Sequence, residues 1–259
     1  MALVDFHVEG HLGFFTLNRP EARNAVNGDV AEAFEAALDR FEEDPDVWVG
    51  ILRANTEGQT NPVFSAGADL KAVNSGGKPL GTARGGFAGF TNRERRKPVI
   101  AAVDGLATAG GCEIVLTCDL VVATTRSSFG LFEVKRGLVA AAGGLFRLPR
   151  AIGRAAAMEA ILCASTFTAE RAYQLGMINR LVEPGQAEAA ARELADQICA
   201  NAPLAVWESR TVVLASDWAD DATLWEMSNA GARVVMRSED LKEGLAAFVE
   251  KRPPVWQGR

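Results

Sequence analysis

The chain has 259 residues, 48% of them hydrophobic, enough to bury one large core or one core with a smaller appended piece. Its formal net charge of −6 and pI near 5.2 leave no electrostatic footprint for nucleic acid or an anionic membrane surface. Cys112, Cys118, Cys163 and Cys199 form no CxxC pair and His7 and His11 are the only imidazoles, which argues against zinc and for reduced thiols in a cytoplasmic protein.

The first ten residues carry no basic segment followed by a long apolar run, and no stretch approaches the ~20 apolar residues of a membrane helix. Residues 4–8 and 13–17 read as two short strands with Gly10 in the turn between them. Asn27 opens a helix on which Val30, Phe34, Leu38 and Phe41 recur at helical spacing, while Glu32, Glu35, Asp39 and Glu42 form a wet face; Pro45 ends it. Residues 47–52 are apolar and β-rich enough for a buried strand. Residues 74–86 carry five glycines, one proline and two basic side chains, the composition of a mobile loop. Residues 99–105 read as another buried strand, followed by a small-residue turn feeding a helix and a strand at 120–123. Strand, loop, helix and strand in succession predict a right-handed α/β stack with its domain boundary near 185. From 186 the pattern is helical, through an Ala/Glu-rich segment at 186–200 to a last helix at 239–250 capped by Ser238.

Two small-residue turns stand out, Ser65-Ala66-Gly67-Ala68-Asp69 and Gly110-Gly111-Cys112-Glu113. Each precedes a predicted helix, where backbone N–H groups are free and the helix dipole is positive. Two such amides on one carbonyl make an oxyanion hole, although tight strand–helix packing is the readier explanation of either turn alone. Glu113 and Glu133 both lie in apolar stretches, where burial penalises the charged form. Such a pair suits acid and base work, but an ion pair with Lys135 or Arg136 is the plainer alternative for Glu133. Lys251 and Arg252 end the last helix, as a solvated terminus or as a contact for phosphate.

Together these segments resemble the crotonase (enoyl-CoA hydratase/isomerase) superfamily. The resemblance is carried by Leu17-Asn18-Arg19-Pro20 with Arg23-Asn24-Ala25, Phe64 to Lys71, Lys97 to Gly105 with Gly110 to Glu113, Thr168 to Ala172, Leu175-Gly176, Ile178-Asn179, Glu243-Gly244, and Phe248 to Arg252. Each piece is weak, but the set spans nearly the whole chain. The resemblance implies a crotonase-like superhelix of repeated ββα units over 1–185 and a helical trimerisation region over 186–259, in trimers or paired trimers. It implies that the amides of Ala68 and Gly110 hold a thioester oxygen and that Glu113 and Glu133 are the catalytic pair of a hydratase. Ala25, Ala66, Asp69 and Leu70 would contact coenzyme A, and Phe248 and Lys251 its far end, in one arrangement from a neighbouring subunit. The expected substrate is an acyl-CoA thioester, with no metal and no further cofactor. Phe87, Phe90 and Phe132 are expected to shape the acyl pocket. The sequence departs from the family pattern at Ala140-Ala141-Ala142, where relatives often carry Pro and Gly, and at Ala109, where a third glycine is common. An isomerase or epimerase of CoA esters, or a non-catalytic acyl-CoA or RNA binder, would use the same scaffold; the acidic balance speaks against RNA.

Overall fold

The computed structural model describes residues 2–259. Strands β1 (Val4–Glu9) and β2 (Leu12–Leu17) form an antiparallel hairpin, and α1 (Gly28–Glu43) follows. The Asn27 side chain accepts from the Val30 amide at 2.9 Å, satisfying one of the free donors that begin α1. At its other end the buried Lys97 ammonium donates to the Phe41 and Asp44 carbonyls at 2.7 and 2.6 Å. The strand predicted at 47–52 is β3 (Val49–Ala54), followed by β4 (Val63–Ser65) and the short α2 (Leu70–Asn74).

The same strand–strand–helix order then recurs. β7 (Val99–Val103) leads to β8 (Leu106–Thr108) and α3 (Gly110–Thr117); β9 (Leu120–Thr124) leads to β10 (Ser128–Gly130), a 3-10 turn at Glu133–Arg136 and α4 (Gly144–Ile152). Between the first two units lies a hairpin, β5 (Gly81–Thr82) and β6 (Gly86–Phe87). The segment expected to be a mobile loop is therefore partly an ordered hairpin laid on α1. Thr82 donates to Glu35, Arg84 donates to Asp39 at 2.6 Å, and Lys78 pairs with Asp29 and Glu32 at 2.9 and 2.7 Å. The acidic face of α1 that composition assigns to water is the dock for this insertion.

The chain closes with α5 (Arg154–Leu162), β11 (Phe167–Thr168), α6 (Ala169–Gln174), β12 (Arg180–Val182), α7 (Ala187–Cys199), α8 (Pro203–Ala215), α9 (Asp221–Val235) and α10 (Glu239–Glu250). The first strand of each unit enters a six-stranded sheet of order β1-β2-β3-β7-β9-β12, parallel except for β1; the second enters a four-stranded sheet of order β11-β10-β8-β4, parallel except for β11. This is the mixed α/β architecture of stacked ββα turns with helices appended at the C-terminus.

Alternation along the six-stranded sheet divides the core. Phe15, Leu52, Ala101, Val103 and Val121 face α1 and the second sheet, whereas Phe14, Ile51, Ile100 and Val122 face Ala187, Ala190, Ala191 and Ala195 of α7 and Trp207 of α8. The chain beyond 186 thus begins as a layer of the core rather than as a detached tail. Among the described residues no helix is long and apolar enough to cross a membrane, and no group of His, Cys, Asp and Glu is placed to hold a metal.

Candidate active site

Three adjacent parallel strands of the smaller sheet, β4, β8 and β10, end at the same edge. Within three residues of those ends the chain reaches Ala68, Gly110 and Glu133. Sites in parallel sheets collect at the carboxyl ends of strands because the turns there are free to face a common space. Here that space is a cavity of about 720 Å³ whose walls include all three residues and Glu113.

The two small-residue turns are packed against each other. The 66–69 segment runs parallel to Val26, whose amide donates to the Gly67 carbonyl at 2.7 Å while the Asp69 amide donates to the Val26 carbonyl at 2.8 Å. This pairing uses the bonds on either side of the Ala68 N–H and leaves that donor without an acceptor among the described residues. The Gly110 N–H, first of α3, is likewise unused. Gly67 sits at φ +82°, and a Cβ built on it would stand 2.7 Å from the Gly110 nitrogen. A Cβ on Gly111 would stand 2.2 Å from the Ser65 carbonyl oxygen. Only glycine lets β4 approach the start of α3 this closely. Ala109, between β8 and α3, adopts φ 50° and ψ −129°, a conformation natural to glycine, and its amide is tied to the Gly130 carbonyl at 2.8 Å. Holding a methyl-bearing residue there stores strain on the order of 1–2 kcal/mol in the cavity wall.

Glu113 lies in the first turn of α3 and is only 3% exposed. Its Oε1 accepts the Gly144 N–H at 2.9 Å, at the start of α4. Burial, reinforced by the charge of Glu133, pushes its carboxyl up to about 7, against the opposing pull of the Gly144 and Ala142 amides and of Arg147. Glu133 opens the 3-10 turn after β10. Burial raises its carboxyl too, partly offset by its own backbone N–H and by Arg136, and its Oε2 is buried without a hydrogen-bond partner. The ion pair weighed for Glu133 is not formed: neither Lys135 nor Arg136 lies within 4 Å of it, and Lys135 covers the Phe132 ring instead, 5.3 Å from its centroid.

Of the other residues that the sequence singles out, Ala66, Leu70 and Phe132 line the cavity. Ala25 and Asp69 do not. Ala25 is buried with its carbonyl bound by Arg19, and the Asp69 carboxylate pairs with Arg19 at 3.2 Å and caps α2 through Lys71 and Ala72. Phe248, 84% exposed, and Lys251, which ends α10, stand away from the cavity of their own chain. Phe90 is a core residue stacked on Phe34 at 4.8 Å rather than part of the pocket wall.

Among the wall residues Phe146 and Arg147 escaped sequence reasoning, whereas Phe87 was expected there and the alanines at 140–142 stood out in the sequence. Phe87 projects from β6 over Gly110, where a Cβ would meet its ring at 2.5 Å. Phe146 and Arg147 enter from α4, and Ala141 and Ala142 complete the wall at the place of the unusual alanines. The signal for α4 was present in the Gly143-Gly144 pair, with Gly143 at φ +110°.

With this geometry in view, comparison with known proteins is informative. Residues 8–259 match the enoyl-CoA hydratase/isomerase family. The chain is 38% identical over 250 residues, 94% of each chain, to a protein of Salmonella typhimurium named carnitinyl-CoA dehydratase. It superposes over the full length of both chains on the enoyl-CoA hydratase EchA1 of Mycobacterium marinum, with a TM-score of 0.93 and 43% identity. The carnitinyl-CoA hydratase of Mycobacterium avium gives a TM-score of 0.78 and 40% identity, again over all of both chains.

Proposed function

This chain belongs to the enoyl-CoA hydratase/isomerase family, and from that membership we propose that it is a lyase that adds water across the double bond of a trans-2-enoyl-CoA. The observation that carries the reading is the cavity in which two unused amides, Ala68 and Gly110, meet two carboxyls, the buried Glu113 and the half-buried Glu133. The amides take the thioester oxygen and draw charge onto it, which makes C3 electrophilic; each donor is worth roughly 3–4 kcal/mol in such sites.

Burial raises both carboxyls that face the cavity, which suits one of them to hold a proton while the other acts as base. Hydrogen bonding decides where that proton belongs when the pair acts. Glu113 has a donor, Gly144, that favours its charged form, whereas Glu133 Oε2 has none. Glu113 therefore takes the proton of the attacking water, Glu133 gives its proton to C2, and the enolate charge returns from the thioester oxygen into the new C–H bond. Water and proton arrive on one face, giving a 3-hydroxyacyl-CoA. The proton moved from Glu133 to Glu113 returns before the next turnover. A carboxyl at about 7 leaves the base form of Glu113 available at neutral pH.

The protein is further proposed to work in the cytoplasm as a homotrimer or a dimer of trimers. In support, α9 buries only Gly231 within its own chain, and Trp218, Trp225 and Phe248 are largely exposed. Lys251 and Phe248 would then complete a neighbour's CoA site.

The reaction is tested by incubation with enoyl-CoA in heavy-oxygen water. Hydration places the label in the acyl product and abolishes the conjugated thioester absorbance. An isomerase or epimerase changes the acyl group without taking up label, and that result would end the hydratase reading.

A further inference from the structure

Resting on the acyl-CoA reading above, we infer that the acyl group is uncharged and that Arg147 and Arg136 bar one bearing a fixed cation. Arg147 folds against the turn that holds Glu113: a Cβ on Gly143 would lie 2.0 Å from its Nη1. The acyl carbons just beyond the reacting pair therefore run beside its guanidinium. Arg147 donates to the Ala142 and Thr91 carbonyls at 3.2 and 2.8 Å but has no carboxylate within 4 Å. The other arginines around the adjoining cavity of about 1040 Å³, which shares the Phe146 and Arg147 wall, all have one: Arg93, Arg95, Arg96, Arg150 and Arg210. Arg136 lies one 3-10 turn from Glu133, on the same face, and is also without a carboxylate partner.

A quaternary ammonium is held by open aromatic faces. The cavity has three aromatic rings, but two are already covered. Arg147 and Arg150 lie 5.1 and 5.2 Å from the Phe146 centroid, and Lys135 lies 5.3 Å from that of Phe132. Phe87 packs on Gly110 and is a single surface, not a cage. A fixed positive charge would thus meet cations at two of the three rings and two unpaired guanidiniums in the walls. A carboxylate would meet Glu113 and Glu133. An uncharged hydrocarbon end, against Leu80, Leu138 and Val139, meets neither penalty. This separates the chain from relatives whose names specify a carnitinyl group, which carries a trimethylammonium.

The test is an isosteric pair, 4-(trimethylammonio)but-2-enoyl-CoA and 5,5-dimethylhex-2-enoyl-CoA, which differ by nitrogen for carbon. Hydration is followed for both, and calorimetric binding is measured for their saturated analogues. The neutral member is expected to bind at least tenfold tighter and to be turned over with at least tenfold higher kcat/KM. Arg147→Gln, and separately the exposed Arg136→Gln in case the first does not fold, should each narrow the binding gap severalfold. Equal or tighter binding of the cationic analogue to the parent protein overturns the inference, as does a gap that neither substitution changes. Discrimination in binding without hydration of either ester leaves the charge preference standing and removes the hydratase reading. Failure of both analogues to bind removes the acyl-CoA site itself, and the inference with it.

Discussion

Gly67→Ala is the sharpest test of the paired amides, because the residue touches neither acid nor substrate and acts only through geometry. The new Cβ would lie 2.7 Å from the Gly110 nitrogen and 3.0 Å from the Thr108 carbonyl oxygen. The first contact is roughly 0.8 Å inside a comfortable approach of about 3.5 Å. Both atoms are backbone, at the end of β8 and the start of α3, so no side chain can swing clear. The substitution also places an L-residue at φ +82°, at a cost of ~1–2 kcal/mol. Ala68 and Gly110 must separate, and misplacing a catalytic donor by such a distance costs about 10²-fold in rate. The expected result is a fall in kcat of roughly 10²-fold or more, a small change in KM, and a folded protein with Tm lower by only several degrees. Enoyl-thioester absorbance measures the first two and a circular dichroism melt the third. A well-folded Gly67→Ala protein with near-parental kcat would show that the two amides do not act as a pair.

Gly110→Ala meets the Phe87 ring rather than backbone, so its activity loss should be partly recovered in the double variant Gly110→Ala/Phe87→Ala; no recovery in enoyl-CoA turnover would relocate the clash. Glu113→Gln and Glu133→Gln should each lower turnover by roughly 10²–10⁴-fold with CoA-ester binding near that of the parent, and unchanged turnover in either removes that residue's role. The hydration rate should rise with pH through about 7, where Glu113 becomes the base. Stability should move the other way. A carboxyl raised from 4.5 to about 7 binds its proton more tightly in the folded state, so its stabilising contribution is present below the unfolded value and is lost as pH climbs to about 7. The loss is on the order of 3 kcal/mol, and melts of Glu113→Gln should lack it, leaving the variant more heat-resistant than the parent above neutrality. Equal pH dependence in parent and variant would refute that origin.

The elements legible in the sequence are those long enough to show a period. α1 announces itself through Val30, Phe34, Leu38 and Phe41, and α10 through Ser238, whose hydroxyl accepts the Leu241 amide at 3.0 Å. The strands of the smaller sheet are three residues long or less, too short for alternation to register, so Leu106–Thr108 reads as part of a turn. The ββα repeat is hidden for a related reason. Its larger-sheet strands begin at the uneven spacing of Val49, Val99 and Leu120, because the hairpin at 81–87 lies between the first two units and has no counterpart between the next two. The glycine turns and the two glutamates were visible as local oddities. Their convergence was not, since it depends on β4, β8 and β10 being neighbours, a fact of pairing rather than of composition. Asp69, which the family resemblance sets beside coenzyme A, is tied through its carboxylate to Arg19 instead of lining the cavity, a pairing between positions 50 residues apart that local sequence does not show.

The division of labour in the cavity follows from this topology. What every turn of the stack supplies is a strand end, and strand ends supply backbone donors and short, rigidly placed side chains at one edge. Ala68, Gly110 and Glu133 are of this kind, and Glu113 is fixed by the first turn of α3 and the Gly144 amide. These positions can change little without moving a sheet, and in the proposed reaction they hold the part common to any thioester: oxygen, water and proton. The other walls of the cavity come from pieces away from the strand ends. Phe87 belongs to the inserted hairpin, and Phe146 and Arg147 to α4 beyond the third strand pair. Such pieces can vary without disturbing the amides. A family built this way can keep its chemistry while its substrates diverge, and differences in acyl preference between this chain and its relatives should trace to the hairpin and α4 before any change at the strand ends.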